Sequence, residues 1–186
     1  MDHKNLPPID SNLLARFLAD LLNTPSPTGF VDEAILLTER AFNSIPGVSI
    51  AHTRKGALLV TIEGEANDAP RALAAHVDTL GAMVKVIKPN GRLTMSMIGG
   101  YAWNTVEGEG CTVFTREGKR IRGSILLTSA SSHVHGVKTG ETKREADTLE
   151  VRLDEKVTND KETKALGIIV GDFIAFDPRV ELTNGF

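Results

Sequence analysis

The patterning of this chain changes character at Gly81, and that change limits the folds open to it. Before Gly81, two stretches carry apolar residues at helical spacing and three read as strands. After it, short apolar–polar alternations bounded by turn residues take over. Leu13, Leu14, Phe17, Leu18, Leu21 and Leu22 predict a first helix, which Asp10 or Ser11 can cap. The stretch Thr24-Pro25-Ser26-Pro27-Thr28-Gly29 ends it, because proline neither donates to a helix nor tolerates a helical residue before it. A second helix is expected over residues 32–44, stopped by Ile45-Pro46-Gly47. Residues 48–53 and 57–63 flank Arg54-Lys55-Gly56 as a hairpin, and residues 71–75 read as a buried strand. The first eighty residues are thus an α/β layer arrangement.

Beyond Gly81 the expected strands are 82–87 and 93–97 around Pro89-Asn90-Gly91, then 111–115 and 121–127 around Glu117-Gly118. Residues 148–153 alternate in polarity. Thr158-Asn159-Asp160 caps a short helix through Leu166, and residues 168–176 return as a strand interrupted at Gly171. Three units follow: residues 1–80, a mostly β unit over 81–171 inserted after the 71–75 strand, and residues 172–186 as a strand returning to the first unit.

The chemistry concentrates in Leu73-Ala74-Ala75-His76-Val77-Asp78-Thr79. Residues two apart on a strand face the same way, so His76 and Asp78 would sit side by side at the strand's carboxyl end. In open α/β sheets, sites form along that edge. A neutral imidazole is a good transition-metal ligand, and a neighbouring carboxylate fixes its tautomer. Spacing alone leaves open a second reading, a buried histidine paired with a nearby acid.

With 21 Lys+Arg against 24 Asp+Glu, the formal charge of −3 argues against a nucleic-acid partner held by bulk charge. An apolar fraction of 41% suffices for a packed core. The single cysteine, Cys111, excludes an intrachain disulfide and fits a reducing compartment. No signal peptide and no bilayer-length apolar run is present, so the expectation is a soluble, cytoplasmic protein without a membrane partner. The last residues, Arg179 to Thr183 and then Asn184-Gly185-Phe186, carry a strong hairpin signal with no return strand after it. The expectation is the front part of a longer protein; a frayed tail is the alternative.

Four segments occur in a telling order: Thr24-Pro25-Ser26-Pro27-Thr28-Gly29, Ala75-His76-Val77-Asp78-Thr79-Leu80-Gly81, Ile98-Gly99-Gly100, and Leu166-Gly167-Ile168-Ile169-Val170-Gly171-Asp172 through Phe176-Asp177-Pro178-Arg179-Val180. Together they resemble the M42 family of dinuclear metallo-aminopeptidases, which includes glutamyl and deblocking aminopeptidases, some of them labelled endoglucanases. The resemblance covers nearly the whole chain. It implies the amino-terminal portion of an α/β peptidase domain with an inserted small all-β, PDZ-like barrel domain. It implies His76 as a metal ligand and Asp78 as the catalytic-site carboxylate that orients it. It implies two divalent metal ions, zinc or cobalt, peptide substrates cleaved at the amino terminus, and dimers assembling into a dodecamer. The family's bridging Asp, Glu-Glu pair, further carboxylate and second His all fall after Phe186. The site in this chain is therefore expected to be incomplete and the chain alone inactive. Asp177 precedes the bridging position and is not assigned as a ligand.

Other chemistry-bearing residues carry less. His133 and His135 would share one face if extended, but a solvated pair outweighs an accessory metal site. Glu107, Glu109 and Glu117 read as solvated turn carboxylates, and Gly99-Gly100 as a backbone requirement and not a phosphate cradle. Lys138 to Arg144 reads as a solvated mixed-charge loop, and Cys111 as a small core residue. The competing function is a non-enzymatic module whose β domain binds peptides or subunits by strand addition at an exposed edge.

Overall fold

The computed structural model describes residues 8–66 and 68–183. The expected Asn184-Gly185 turn lies outside the described residues. Helix α1 spans Ser11–Leu22 and α2 spans Asp32–Asn43. Asp10 caps α1: its carboxylate accepts from the Leu13 N–H at 3.0 Å, satisfying one of the free first-turn donors. The leucine face of α1 meets little: Leu13, Leu14 and Leu18 are exposed, and only Ala34 of the two helices is buried. Strands β1 (Val48–His52) and β2 (Leu58–Ile62) form an antiparallel hairpin, with Val48 opposite Ile62 and His52 opposite Leu58.

The buried strand expected over 71–75 is not formed. Residues 71–76 are exposed and belong to no ladder, and the Leu73 side chain is fully in solvent. A strand exists only where a neighbour takes its backbone groups, and none of the described residues lies beside this one. Pairing begins at Thr79, through an isolated parallel bridge to Pro27.

Gly81 opens a closed barrel of six antiparallel strands: β3 (Gly81–Ile87), β4 (Leu93–Ile98), β5 (Gly110–Phe114), β6 (Arg120–Leu127), β7 (Leu149–Leu153) and β8 (Phe173–Phe176). Their order around the barrel is β3-β4-β7-β6-β5-β8. Closure removes the free edges that an open sheet this small would expose. Alternation sets the core: Ile121, Ile125 and Leu127 point inward from β6, and Leu149, Val151 and Leu153 from β7. Burying each such side chain stabilises the fold by about 1.5–3 kcal/mol. Gly123 is required here, because a Cβ at that position would lie 2.8 Å from the Arg152 carbonyl oxygen.

Three expectations about this region change. The strand expected over 168–176 starts only at Phe173. A turn precedes it, with Gly171 at φ +93° and the Asp172 N–H donating to the Ile169 carbonyl at 3.2 Å. That strand is not a return to the first unit. It pairs with β3 and β5, so the barrel runs past 171 to Phe176. His133 and His135 are not extended either: Ser132–His135 forms one helical turn, α3, followed by a second, α4, at Lys138–Glu141. Residues two apart on a helix diverge, so no shared histidine face exists. A last short helix, α5 (Asp160–Ala165), is capped by the Asn159 side chain as expected.

One buried charge lies in the barrel wall. Glu150 of β7 is 1% exposed, and its carboxylate receives Lys88 at 2.5 Å and also Arg92. Both cations flank the β3–β4 turn, so the pair fastens that hairpin to β7.

Candidate functional site

Residues 26–30 and 77–81 build the site together. The Thr79 N–H donates to the Ser26 carbonyl at 2.8 Å, and the Thr28 N–H to the Thr79 carbonyl at 3.3 Å. The buried Ser26 hydroxyl donates to the Val77 carbonyl at 2.8 Å. Pro27 presses on the start of the barrel: a Cβ at Gly81 would lie 2.5 Å from the Pro27 Cβ. Phe30 then packs on Phe114 at 4.7 Å and Phe173 at 5.4 Å between ring centroids. The turn is thereby held between residues 77–81 and the barrel wall.

This frame fixes Asp78. The Thr28 hydroxyl donates to Asp78 Oδ2 at 2.6 Å, leaving Oδ1 toward His76, 3.2 Å from its Nδ1. The Thr28 hydroxyl holds the Asp78 carboxyl below the usual carboxylate range, and His76 reinforces this against partial desolvation. His76 Nδ1 also lies 3.1 Å from the Asp78 backbone carbonyl oxygen. A carbonyl oxygen only accepts, so in the neutral ring Nδ1 carries the proton and Nε2 the lone pair. The ring is 82% exposed, and among the described residues no partner takes Nε2. The arrangement presents an oriented imidazole nitrogen to whatever lies outside.

His76 and Asp78 thus come together, although in an irregular segment and not on a strand. Such a nitrogen suits a divalent metal. A metal needs about three protein ligands, and among the described residues no cluster of three or more His, Cys, Asp or Glu could hold one. The residues present fit one ligand and its orienting carboxylate and do not complete a site. Ser26 and Thr28 were given no individual role from sequence, where their segment read as a helix stop and as one of the segments carrying the family resemblance. The signal was three hydroxyl residues, Thr24, Ser26 and Thr28, alternating with two prolines.

The remaining candidates have structural roles. Glu107 is not simply solvated: it receives Arg144 Nε at 2.6 Å, while Arg144 Nη1 donates to the Thr139, Gly140 and Thr142 carbonyls. That arginine ties the α3–α4 excursion to the barrel. Glu109 pairs with Arg179, and Glu117 with Lys119 at 3.2 Å. Gly99 has φ +80°, and a Cβ there would meet Leu80 Cδ2 at 2.6 Å, which accounts for that glycine as a backbone requirement. Cys111 is fully buried, and burial pushes its thiol up to about 12, in keeping with a small core residue. Asp177 is gripped by Arg122 through two bonds at 2.6 and 2.5 Å.

The fold of this chain is shared with solved aminopeptidases. Aminopeptidase APDkam598 from the archaeon Desulfurococcus kamchatkensis matches with a TM-score of 0.79 at 24% identity, over 94% of this chain and 46% of that one. The Pyrococcus horikoshii TET1 peptidase, described as able to assemble into a tetrahedron or a large octahedral shell, matches with a TM-score of 0.64 at 21% identity, over 87% and 46%. In sequence, residues 56–186 match the M42 glutamyl aminopeptidase family. A Bacillus subtilis relative, named "Putative aminopeptidase YhfE", is 44% identical over 167 residues, 90% of this chain and 48% of its own length. The chain belongs to the M42 glutamyl aminopeptidase family. It spans about half the length of these relatives.

Proposed function

We propose that this chain is the amino-terminal part of a metal-dependent aminopeptidase that releases amino-terminal residues from peptides. The observation that carries this reading is the His76 imidazole, with Nδ1 held by Asp78 and Nε2 presented to the exterior. A pair of divalent metal ions, zinc or cobalt, would supply a polarised scissile carbonyl and hydroxide near neutral pH. His76 gives one ligand, Asp78 keeps its tautomer, and the remaining ligands come from residues beyond Phe186. The 186 residues alone are inactive.

The finer architecture belongs to the same proposal. The exposed leucine face of α1 and the unpaired backbone of residues 71–76 support an α/β peptidase domain with further strands beside them. The barrel is the inserted, PDZ-like domain. The tetrahedron or octahedral shell described for the TET1 peptidase, and the dodecamer described for a second solved neighbour, support a homo-oligomer; dimers as its building unit belong to the same proposal. Among the described residues no helix is long and apolar enough to cross a membrane, and the free Cys111 fits a cytoplasmic setting. Family membership does not favour the alternative of a non-enzymatic binding module.

The test extends the chain to the length of its relatives and measures bound metal and hydrolysis of aminoacyl-nitroanilides. The proposal expects chelator-sensitive hydrolysis in the longer protein, loss of metal in His76→Ala, and none of this activity in the 186 residues. Unchanged metal content in His76→Ala refutes the ligand role.

A further inference from the structure

Asp78 could turn its carboxylate in several directions, because its side chain is 36% exposed. Nothing in a His-x-Asp spacing decides which oxygen faces the imidazole. The side chain hydrogen-bonded to Oδ2 is Thr28, at 2.6 Å. Thr28 is itself fixed by its backbone, whose N–H donates to the Thr79 carbonyl, and by its place in the turn closed by the Phe30 N–H on the Pro27 carbonyl at 2.7 Å. The hydroxyl therefore acts from a rigid base. With Oδ2 occupied, Oδ1 is the oxygen left for Nδ1, 3.2 Å away, where its negative charge adds to the hydrogen bond that the Asp78 backbone carbonyl accepts at 3.1 Å.

We propose that Thr28 is the positioning residue of this site: its hydroxyl orients Asp78 so that His76 carries its proton on Nδ1 and offers Nε2 as the ligand. This rests on the aminopeptidase reading only for its purpose; the geometry belongs to this chain. Partners behind a metal-binding histidine fix its tautomer and ring orientation. Thr28 would extend that chain of control one residue further, from the helix-terminating turn to the imidazole.

The test is made on the 186-residue chain without metal, labelled with 15N at histidine, at a pH where the rings are neutral. Two-bond and three-bond proton–nitrogen correlations report which ring nitrogen carries the proton, and His76→Gln assigns the signal. Wild type should show His76 as a single Nδ1–H tautomer. Thr28→Val, similar in shape and lacking the hydroxyl, should move His76 to a mixture of tautomers. Thr28→Ser should restore the single pattern. An unchanged pattern in Thr28→Val overturns the proposal, because the Asp78 backbone carbonyl would then suffice. If Thr28→Val loosens the turn, seen as lost protection of the Thr79 amide, Thr28→Ala is judged by the same outcomes. No peptide or metal enters the measurement. A longer protein without aminopeptidase activity would therefore refute the proposed function and leave the role of Thr28 standing.

Discussion

The Asn23 side chain holds Val180 as a neighbouring strand would: its Oδ1 accepts from the Val180 N–H at 3.1 Å, and its Nδ2 donates to the Val180 carbonyl at 3.3 Å. Asn23 is also the residue that closes α1. The segment leaving the barrel is thereby pinned to the end of the first helix, 157 residues earlier in sequence. Arg179, the residue before it, has φ +50° and pairs with Glu109 on the barrel side.

Replacing Asn23 by Ala should free this segment. Two hydrogen bonds at about 0.5–1.5 kcal/mol each imply that the Val180 amide exchanges with solvent roughly tenfold faster or more. Amide exchange followed by NMR measures this. Exchange at the wild-type rate would show that the pin carries no weight.

Gly81→Ala places a Cβ 2.5 Å from the Pro27 Cβ and 2.9 Å from the Ile174 carbonyl oxygen. Both neighbours are rigid, a proline ring and strand backbone. The expected loss is about 1–3 kcal/mol, the usual penalty for overpacking, read as a lower urea midpoint. The Thr79 amide should lose protection in the same variant, since Pro27 and Thr79 share a bridge.

Asp177 gives a pH signature. Its carboxyl is held low first by the hydrogen bonds from Arg122, so its folded value lies below its unfolded one. Its contribution is then present above the unfolded value of about 3.9 and disappears as the pH falls through the folded value. With half of the Arg122 side chain exposed, solvent screening limits it to about 1 kcal/mol. Asp177→Asn should be less stable than wild type near neutrality, and the two unfolding curves should converge in acid. A constant gap at all pH values would exclude the charge as its origin.

Glu150 predicts non-additivity. Lys88→Met or Arg92→Met alone leaves the other cation on the carboxylate and should cost about 1 kcal/mol. The double variant strands a buried charge and should cost about 3 kcal/mol or more. A double-mutant cycle by urea unfolding measures the excess. A cost equal to the sum of the two single variants would mean that the buried carboxylate does not need a partner.

Much of the fold was legible because its determinants are local. Asp10 caps α1, Asn159 caps α5, and glycine turns close the β1–β2 and β5–β6 hairpins where their patterns place them. The failures are long-range. Residues 71–75 have the composition of a buried strand, yet composition cannot provide a neighbour. Phe173–Phe176 reads equally well as a barrel strand or as the start of a return; pairing with β3 and β5 decides it. His76 and Asp78 could be found from spacing. Thr28 could not, because its partner lies 50 residues away and the two meet only through the turn that Pro27 begins.

The first and last strands of the barrel are hydrogen-bonded neighbours, with Ala82 opposite Ile174. The chain therefore enters and leaves this unit about one strand spacing apart, ~4.8 Å. To the rest of the molecule the whole barrel is topologically equivalent to a tight turn. A unit with this property can sit between two adjacent backbone positions without moving them apart. Any self-closing domain whose ends meet at the same separation is geometrically admissible in its place.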